Sequence, residues 1–183
     1  MKKSLLFASI LLIVSISSCV EPIRQGSSYF NCKKHLIALA DSLQRSGMVL
    51  DKSIVSENGN EQKKIIAPIW KNELAPFIEI DINKPALRGT YKIREENLMA
   101  GGIAVLYEAL EPNATVRELK VEYDSQKNVI EVRAVTATSN PYHASTDTLV
   151  YRSKGTYEIH ASSDPALGRR IAFDLYATIS ANK

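Results

Sequence analysis

The sequence predicts an α+β domain in which N-terminal amphipathic helices pack on a curved antiparallel β-meander of about six to eight strands. Three observations lead there. Apolar residues repeat at three and four positions early in the chain, which is the period of a helix with one buried face. From Leu87 onward the period falls to two, the signature of half-buried strands. The connections between those strands are too short for crossover helices, so sequence neighbours must run antiparallel.

The first helix is expected from Ser28 to Ser46, with Ser27 or Ser28 as N-cap and Gly47 as its stop. Cys32, Leu36, Leu39 and Leu43 share one stripe of it, so Cys32 reads as a buried, inert thiol packing like a small hydrophobe. Met48 to Val55 suits a short strand, followed by a polar turn, SENGN. In Glu61 to Ile80, apolar residues Ile65, Ile66, Ile69, Trp70, Leu74, Phe77 and Ile78 again recur at three and four. That predicts a second amphipathic helix, broken or kinked at Pro68 or Pro76 because an interior proline costs about 3 kcal/mol. Trp70, at the centre of the stripe, is the expected core anchor. The strands are then Leu87 to Arg94, Ile103 to Leu110, Val116 to Tyr123, Val129 to Thr138, Thr148 to Ser153, Thr156 to Ala161 and Ile171 to Ile179. Alternation is cleanest in the last, where Ile171, Phe173, Leu175, Ala177 and Ile179 face one way and Asp174, Tyr176 and Thr178 the other.

The chain of 183 residues, 45% apolar and 23% charged, has the composition of a globular protein. Its first residues stand apart. Lys2 and Lys3 precede an uncharged run from Leu5 to Ile16 that ends in Ser17 and Ser18, the layout of an export signal. The run is shorter than the roughly 18 to 20 apolar residues that a spanning helix needs. Ile16-Ser17-Ser18-Cys19 resembles the lipobox of bacterial lipoproteins. The resemblance implies removal of residues 1–18, acylation of Cys19 and retention on a membrane of the cell envelope, the outer membrane rather than the inner. Two or more acyl chains hold a protein stably, each buried methylene adding about 0.8 kcal/mol. Residues 19–27, VEPIRQGS after the cysteine, then form a tether, and residues 28–183 a single domain.

Without residues 1–18, 21 basic residues face 20 acidic ones, and no basic cluster is interleaved with aromatics, so nucleic acid is not an expected partner. None of the three histidines falls in a metal-ligand or catalytic spacing. His35 is expected within the first helix, on its surface or at the edge of its buried face, and His160 on the wet face of its strand, alternating with Glu158. His143 is the one retained, because Asn140-Pro141-Tyr142-His143 reads as a loop with Asp147 nearby. Tyr142, His143 and Asp147 are therefore the candidate binding surface.

Asp81 and Asn83 open like a calcium loop but lack its glycine and distal glutamate, so they are expected to cap or turn the chain before Pro85. Glu95-Glu96 is expected solvated in a hairpin turn, and Asn113-Ala114-Thr115, formally a glycosylation acceptor, as a turn after Pro112. No cofactor is implied. The residues fit best a non-enzymatic binding or structural module, on the grounds of an anchor, a compact domain and no catalytic constellation; seven of eight tyrosines lie between Tyr91 and Tyr176, and tyrosine favours strands as well as binding surfaces. The alternative is a carrier holding a hydrophobic ligand between sheet and helices, similar in element order to half-barrel envelope lipoproteins. An enzyme comes third and requires His143 and Asp147 to converge with another polar group in a cleft.

Overall fold

The computed structural model describes residues 29–99 and 101–182; the signal, Cys19 and the tether lie outside the described residues. Helix α1 (Cys32–Ser46) comes first, then strands β1 (Val49–Ser56) and β2 (Gly59–Ile65). Two short helices follow, α2 (Trp70–Glu73) and α3 (Ala75–Glu79). The remaining strands are β3 (Tyr91–Asn97), β4 (Ile103–Ala109), β5 (Val116–Tyr123), β6 (Val129–Asn140), β7 (His143–Arg152), β8 (Thr156–Pro165) and β9 (Ile171–Ser180). The fold is α+β with the sheet dominant.

All nine strands form one antiparallel sheet in the order β2-β1-β9-β8-β7-β6-β5-β4-β3, one more strand than the upper sequence expectation. The extra strand comes from a misassigned helix. Glu61 to Ile65 pairs with β1 across the turn at Glu57-Asn58, matching Ile65 with Leu50 and Asn60 with Val55. Ile66 and Ile69, expected on a buried stripe, are 65% and 63% exposed. Helix resumes only at Trp70, and Pro76 is admitted because it falls in the first turn of α3, where its missing N–H leaves no intrahelical bond unmade.

Helix α1 starts later than predicted. Its N-cap is Asn31, whose side chain accepts from Lys34 N at 2.8 Å, and Gly47 closes it at φ 62°. Strand β3 likewise starts at Tyr91, after a 3₁₀ turn at Pro85–Leu87. In the β5–β6 turn, the Asn128 side chain donates to Asp124 Oδ2 at 2.9 Å, and the backbones of Asn128 and Gln126 donate to its Oδ1 at 2.8 and 2.9 Å, which together pull its carboxyl below the usual range. Two register shifts in the β5–β6 ladder bend the sheet locally.

Alternation along the strands defines two faces. On the inner face, Leu119, Val121, Val132, Ala134, Leu149, Tyr151, Tyr157 and Ala177 belong to one buried cluster that also contains Cys32, Leu36, Trp70, Leu74 and Phe77. Trp70 is buried as expected, and its backbone N–H donates to Gln44 Oε1. The Phe77 ring meets Tyr151 and Tyr157 edge-on, with centroids 6.4 and 5.6 Å away. Cys32 is fully buried beside the Phe77 carbonyl, and burial pushes its thiol up to about 12, with Asp81 adding to the effect.

Gly102 sits at φ +105°, where a Cβ would strike the Tyr123 carbonyl oxygen; Gly59, at φ +124°, faces open space. Both positions strain an L side chain, but only Gly102 adds a backbone collision. Gly102→Ala should lower stability by about 2 to 4 kcal/mol and Gly59→Ala by about 1 to 2, read from urea midpoints at constant m.

Burial also raises the phenols of Tyr91, Tyr107, Tyr151 and Tyr157, and Tyr123 to about 12. These groups and the Cys32 thiol ionise sooner in the unfolded chain than in the folded one. Stability is therefore fully present below their unfolded values and lost as pH rises. An unfolding series should be level between about pH 7.5 and 9, above the His35 and Asp124 titrations, and fall between pH 9 and 12, with tyrosinate absorbance rising together with unfolding.

Candidate functional site

Tyr142, with Pro141, makes the tight turn between β6 and β7, and its side chain is 81% exposed. Its backbone N–H donates to Asn140 Oδ1, and its carbonyl accepts from Ala166 N, tying this turn to the β8–β9 connection. His143 and Asp147 are not on that loop. Both lie in β7, on the face that also carries Leu149 and Tyr151, and four extended residues separate them by about 13 Å. His143 Nδ1 lies 3.5 Å from Ser163 Oγ on β8, whereas Asp147 stands opposite Thr136 and Ala161. The arrangement an enzyme would require of His143 and Asp147 is therefore not formed.

The other residues singled out have simpler places. The His35 ring packs on Phe30 at 5.5 Å, and burial lowers its pKa. Glu95 and Glu96 lie within β3 rather than in a turn, and as neighbours in a strand they point to opposite faces. Asn83 donates to the Tyr29 carbonyl at 3.3 Å. Asp81 is buried, and its Oδ1 has no hydrogen-bond partner among the described residues.

The densest polar arrangement lies on the outer face, where cross-strand register stacks complementary charges. Arg152 at the end of β7 bonds Glu131 on β6 at 3.0 Å and Glu158 on β8 at 2.5 Å. On β8, His160 Nδ1 meets Asp174 Oδ1 of β9 at 2.7 Å, while its Nε2 lies 3.6 Å from Glu158 Oε2. A histidine–aspartate pair becomes a catalytic base when the second ring nitrogen faces a nucleophile. Here that nitrogen faces a second carboxylate, so His160 works as a strut across the β8–β9 ladder.

The His160 ring stands edge-on to Tyr176, 5.8 Å away, and Tyr176 is 42% exposed. Beside it, strands β2, β1 and β9 enclose a shallow concavity of about 470 Å³ lined by Asp51, Ser53, Gln62, Lys64, Tyr176 and Thr178, among others. The ladders explain the grouping: Asp51 pairs with Lys64 and Thr178, and Ser53 with Gln62 and Tyr176. Lys52 and Lys63 complete the lining, so hydroxyl and amide groups, one acid, three lysines and a flat ring share one surface.

Sequence reasoning placed His160 correctly on the wet face but missed its partner. Asp174 stands opposite His160 only once the β8–β9 register is known, and that register depends on a turn with little regular pattern. Among the described residues, no three histidine, cysteine or acidic side chains group as metal ligands, and no helix is long and apolar enough to cross a membrane. No protein family, curated protein or solved structure matches the chain.

Proposed function

We propose that this chain is a membrane-anchored lipoprotein of a bacterial cell envelope, acting as a non-enzymatic binding module. The anchor rests on the lipobox-like Ile16-Ser17-Ser18-Cys19 behind its short apolar run. In this proposal the helical segment covers the inner face of the sheet and leaves the outer face for recognition. Support for that division comes from the shared buried cluster, the Phe77 ring on Tyr151 and Tyr157, and Glu73, which reaches both Lys52 and the Tyr157 hydroxyl.

The observation that carries the binding role is Tyr176, 42% exposed on the outer face and set in a concavity of hydrogen-bonding groups, whereas Tyr91, Tyr107, Tyr151 and Tyr157 are buried on the inner face. A flat ring flanked by Ser53, Gln62 and Thr178 suits a hydroxyl-rich, largely uncharged polymer such as a glycan. The ring supplies apolar contact, and the polar groups fix orientation. Carriage of a hydrophobic ligand between sheet and helices is favoured by no observation, since Trp70, Leu74 and Phe77 fill that space as buried core.

Labelled palmitate should enter the wild-type chain and not Cys19→Ala, with globomycin blocking signal removal in the former. Label persisting in Cys19→Ala would remove the anchor from the proposal. Against a panel of cell-wall glycan fragments and neutral polysaccharides, the wild type should retain at least one, and Tyr176→Ala should lose at least tenfold in affinity for it. Because Tyr176 is partly exposed, its removal should change stability by about 0.5 kcal/mol or less. Equal retention by the variant would exclude this face.

A further inference from the structure

We propose that the sheet carries a second binding site, a cradle for a small amphiphile with one anionic head group and an apolar tail. The β1–β2, β6–β7 and β8–β9 turns all lie at one end of the sheet, because β1 runs antiparallel to β9 and the strands from β6 to β9 form a meander. There the β1–β9 register sets Ile54 beside Leu175 and Ser56 beside Phe173. These positions continue the inner face beyond Lys52, the β1 residue that meets Glu73 of α2. Apolar side chains therefore run on along this face toward the turns.

A groove of about 410 Å³ opens here, walled by Ile54, Ile171 and Phe173 and bounded by Arg169 and Arg170, with Glu57 in the β1–β2 turn also lining it. Ile54 and Phe173 are half-buried, whereas Ile171 is exposed. Arg170 Nε donates to Ser162 Oγ at 3.0 Å, on the outer side of β8, which holds its guanidinium at the rim of the groove without neutralising it. Neither arginine has an ion-pair partner among the described residues. Two such guanidiniums against one carboxylate leave the groove cationic, and a guanidinium suits carboxylate, sulfate or phosphate head groups through paired N–H donors. An apolar wall next to a cationic rim thus selects an anionic amphiphile over a cationic one.

A bilayer surface is the competing occupant, since Tyr142 and Leu167 protrude at the same end. The single amphiphile is favoured because Ile54 and Phe173 are recessed in the groove, where a planar surface would not reach them. This site is separate from the Tyr176 concavity and does not depend on the glycan proposal.

The test is photo-crosslinking of the full chain, held in neutral phosphatidylcholine vesicles, with a diazirine-bearing fatty acid. A diazirine amine with the same tail serves as the charge control. The acid should label peptides containing Ile54 and Ile171 to Phe173, at least fivefold more than the amine. Arg169→Gln with Arg170→Gln should cut that labelling at least fivefold while thermal unfolding stays unchanged, because both arginines are exposed. The proposal is overturned if the acid and amine label alike, if the double variant labels like wild type, or if no label reaches these peptides. Labelling that centres on Tyr142 and Leu167 without regard to head-group charge also overturns it and assigns this end to the bilayer.

Discussion

The ladder between β1 and β9 joins Val49–Ser56 to Ile171–Ser180 through eight consecutive residue pairs, from Val49 opposite Ser180 to Ser56 opposite Phe173. It bridges more than a hundred residues of chain. Everything between them, from β2 and the two short helices through the six strands β3 to β8, is a loop whose closure entropy this pairing must overcome. What it secures is considerable. Among the described residues, β2 pairs only with β1, so there the β1–β2 hairpin joins the sheet through β9. The Tyr176 concavity and the arginine-rimmed groove both straddle the β1–β9 seam, one on each side of the strands' alternation. Loss of this ladder would dissolve both surfaces while leaving the β3–β8 meander its own hydrogen bonds.

The two faces of the seam divide their chemistry by register. Along β9, Ala177 and Ile179 are buried inward, while Thr178, Tyr176 and Asp174 face outward. On the outer side, opposite charges are satisfied between neighbouring strands, as in Glu131–Arg152–Glu158 and His160–Asp174. Exposed pairs of this kind contribute about 1 kcal/mol or less each to stability. Their larger effect is on shape, because each paired side chain is held flat across the ladder. Tyr176 is thereby left standing above paired neighbours, and its exposure follows from the register around it.

The meander was legible in the sequence because period two, interrupted by Gly, Asn, Asp and Pro, needs only local information. All seven strands predicted from Leu87 onward are present, with ends shifted by a few residues. The β2 segment was not legible. Gln62, Lys63 and Lys64 carry no apolar alternation, and the isoleucines that follow happen to repeat at helical spacing. Only pairing with β1 decides that stretch, a tertiary constraint overriding local pattern. His143 and Asp147 were misplaced on a loop for a related reason: β7 begins earlier than its apolar residues reveal, because polar His143 to Asp147 pairs with both β6 and β8. The His160–Asp174 contact and the arginine groove were out of reach, since each depends on which residues face one another across β8, β9 and β1.

The sheet remains open, and its edges bear on how the molecule can engage a partner. An edge strand presents unpaired N–H and C=O groups that invite a further strand. Both edges here are guarded: β2 exposes Glu61, Gln62, Lys63 and Lys64, and β3 exposes Lys92, Arg94, Glu95 and Glu96. Charge of both signs along each edge opposes strand addition by a second copy or by an extended apolar peptide. Apolar and aromatic groups left accessible are concentrated elsewhere, at Tyr176 on the outer face and at Ile171, Leu167 and Tyr142 near the turns. In the proposed lipid-anchored form, guarded edges would keep neighbouring copies from pairing strand to strand. In the two proposed sites, around Tyr176 and around Arg169 and Arg170, side chains rather than backbone groups would choose the partner.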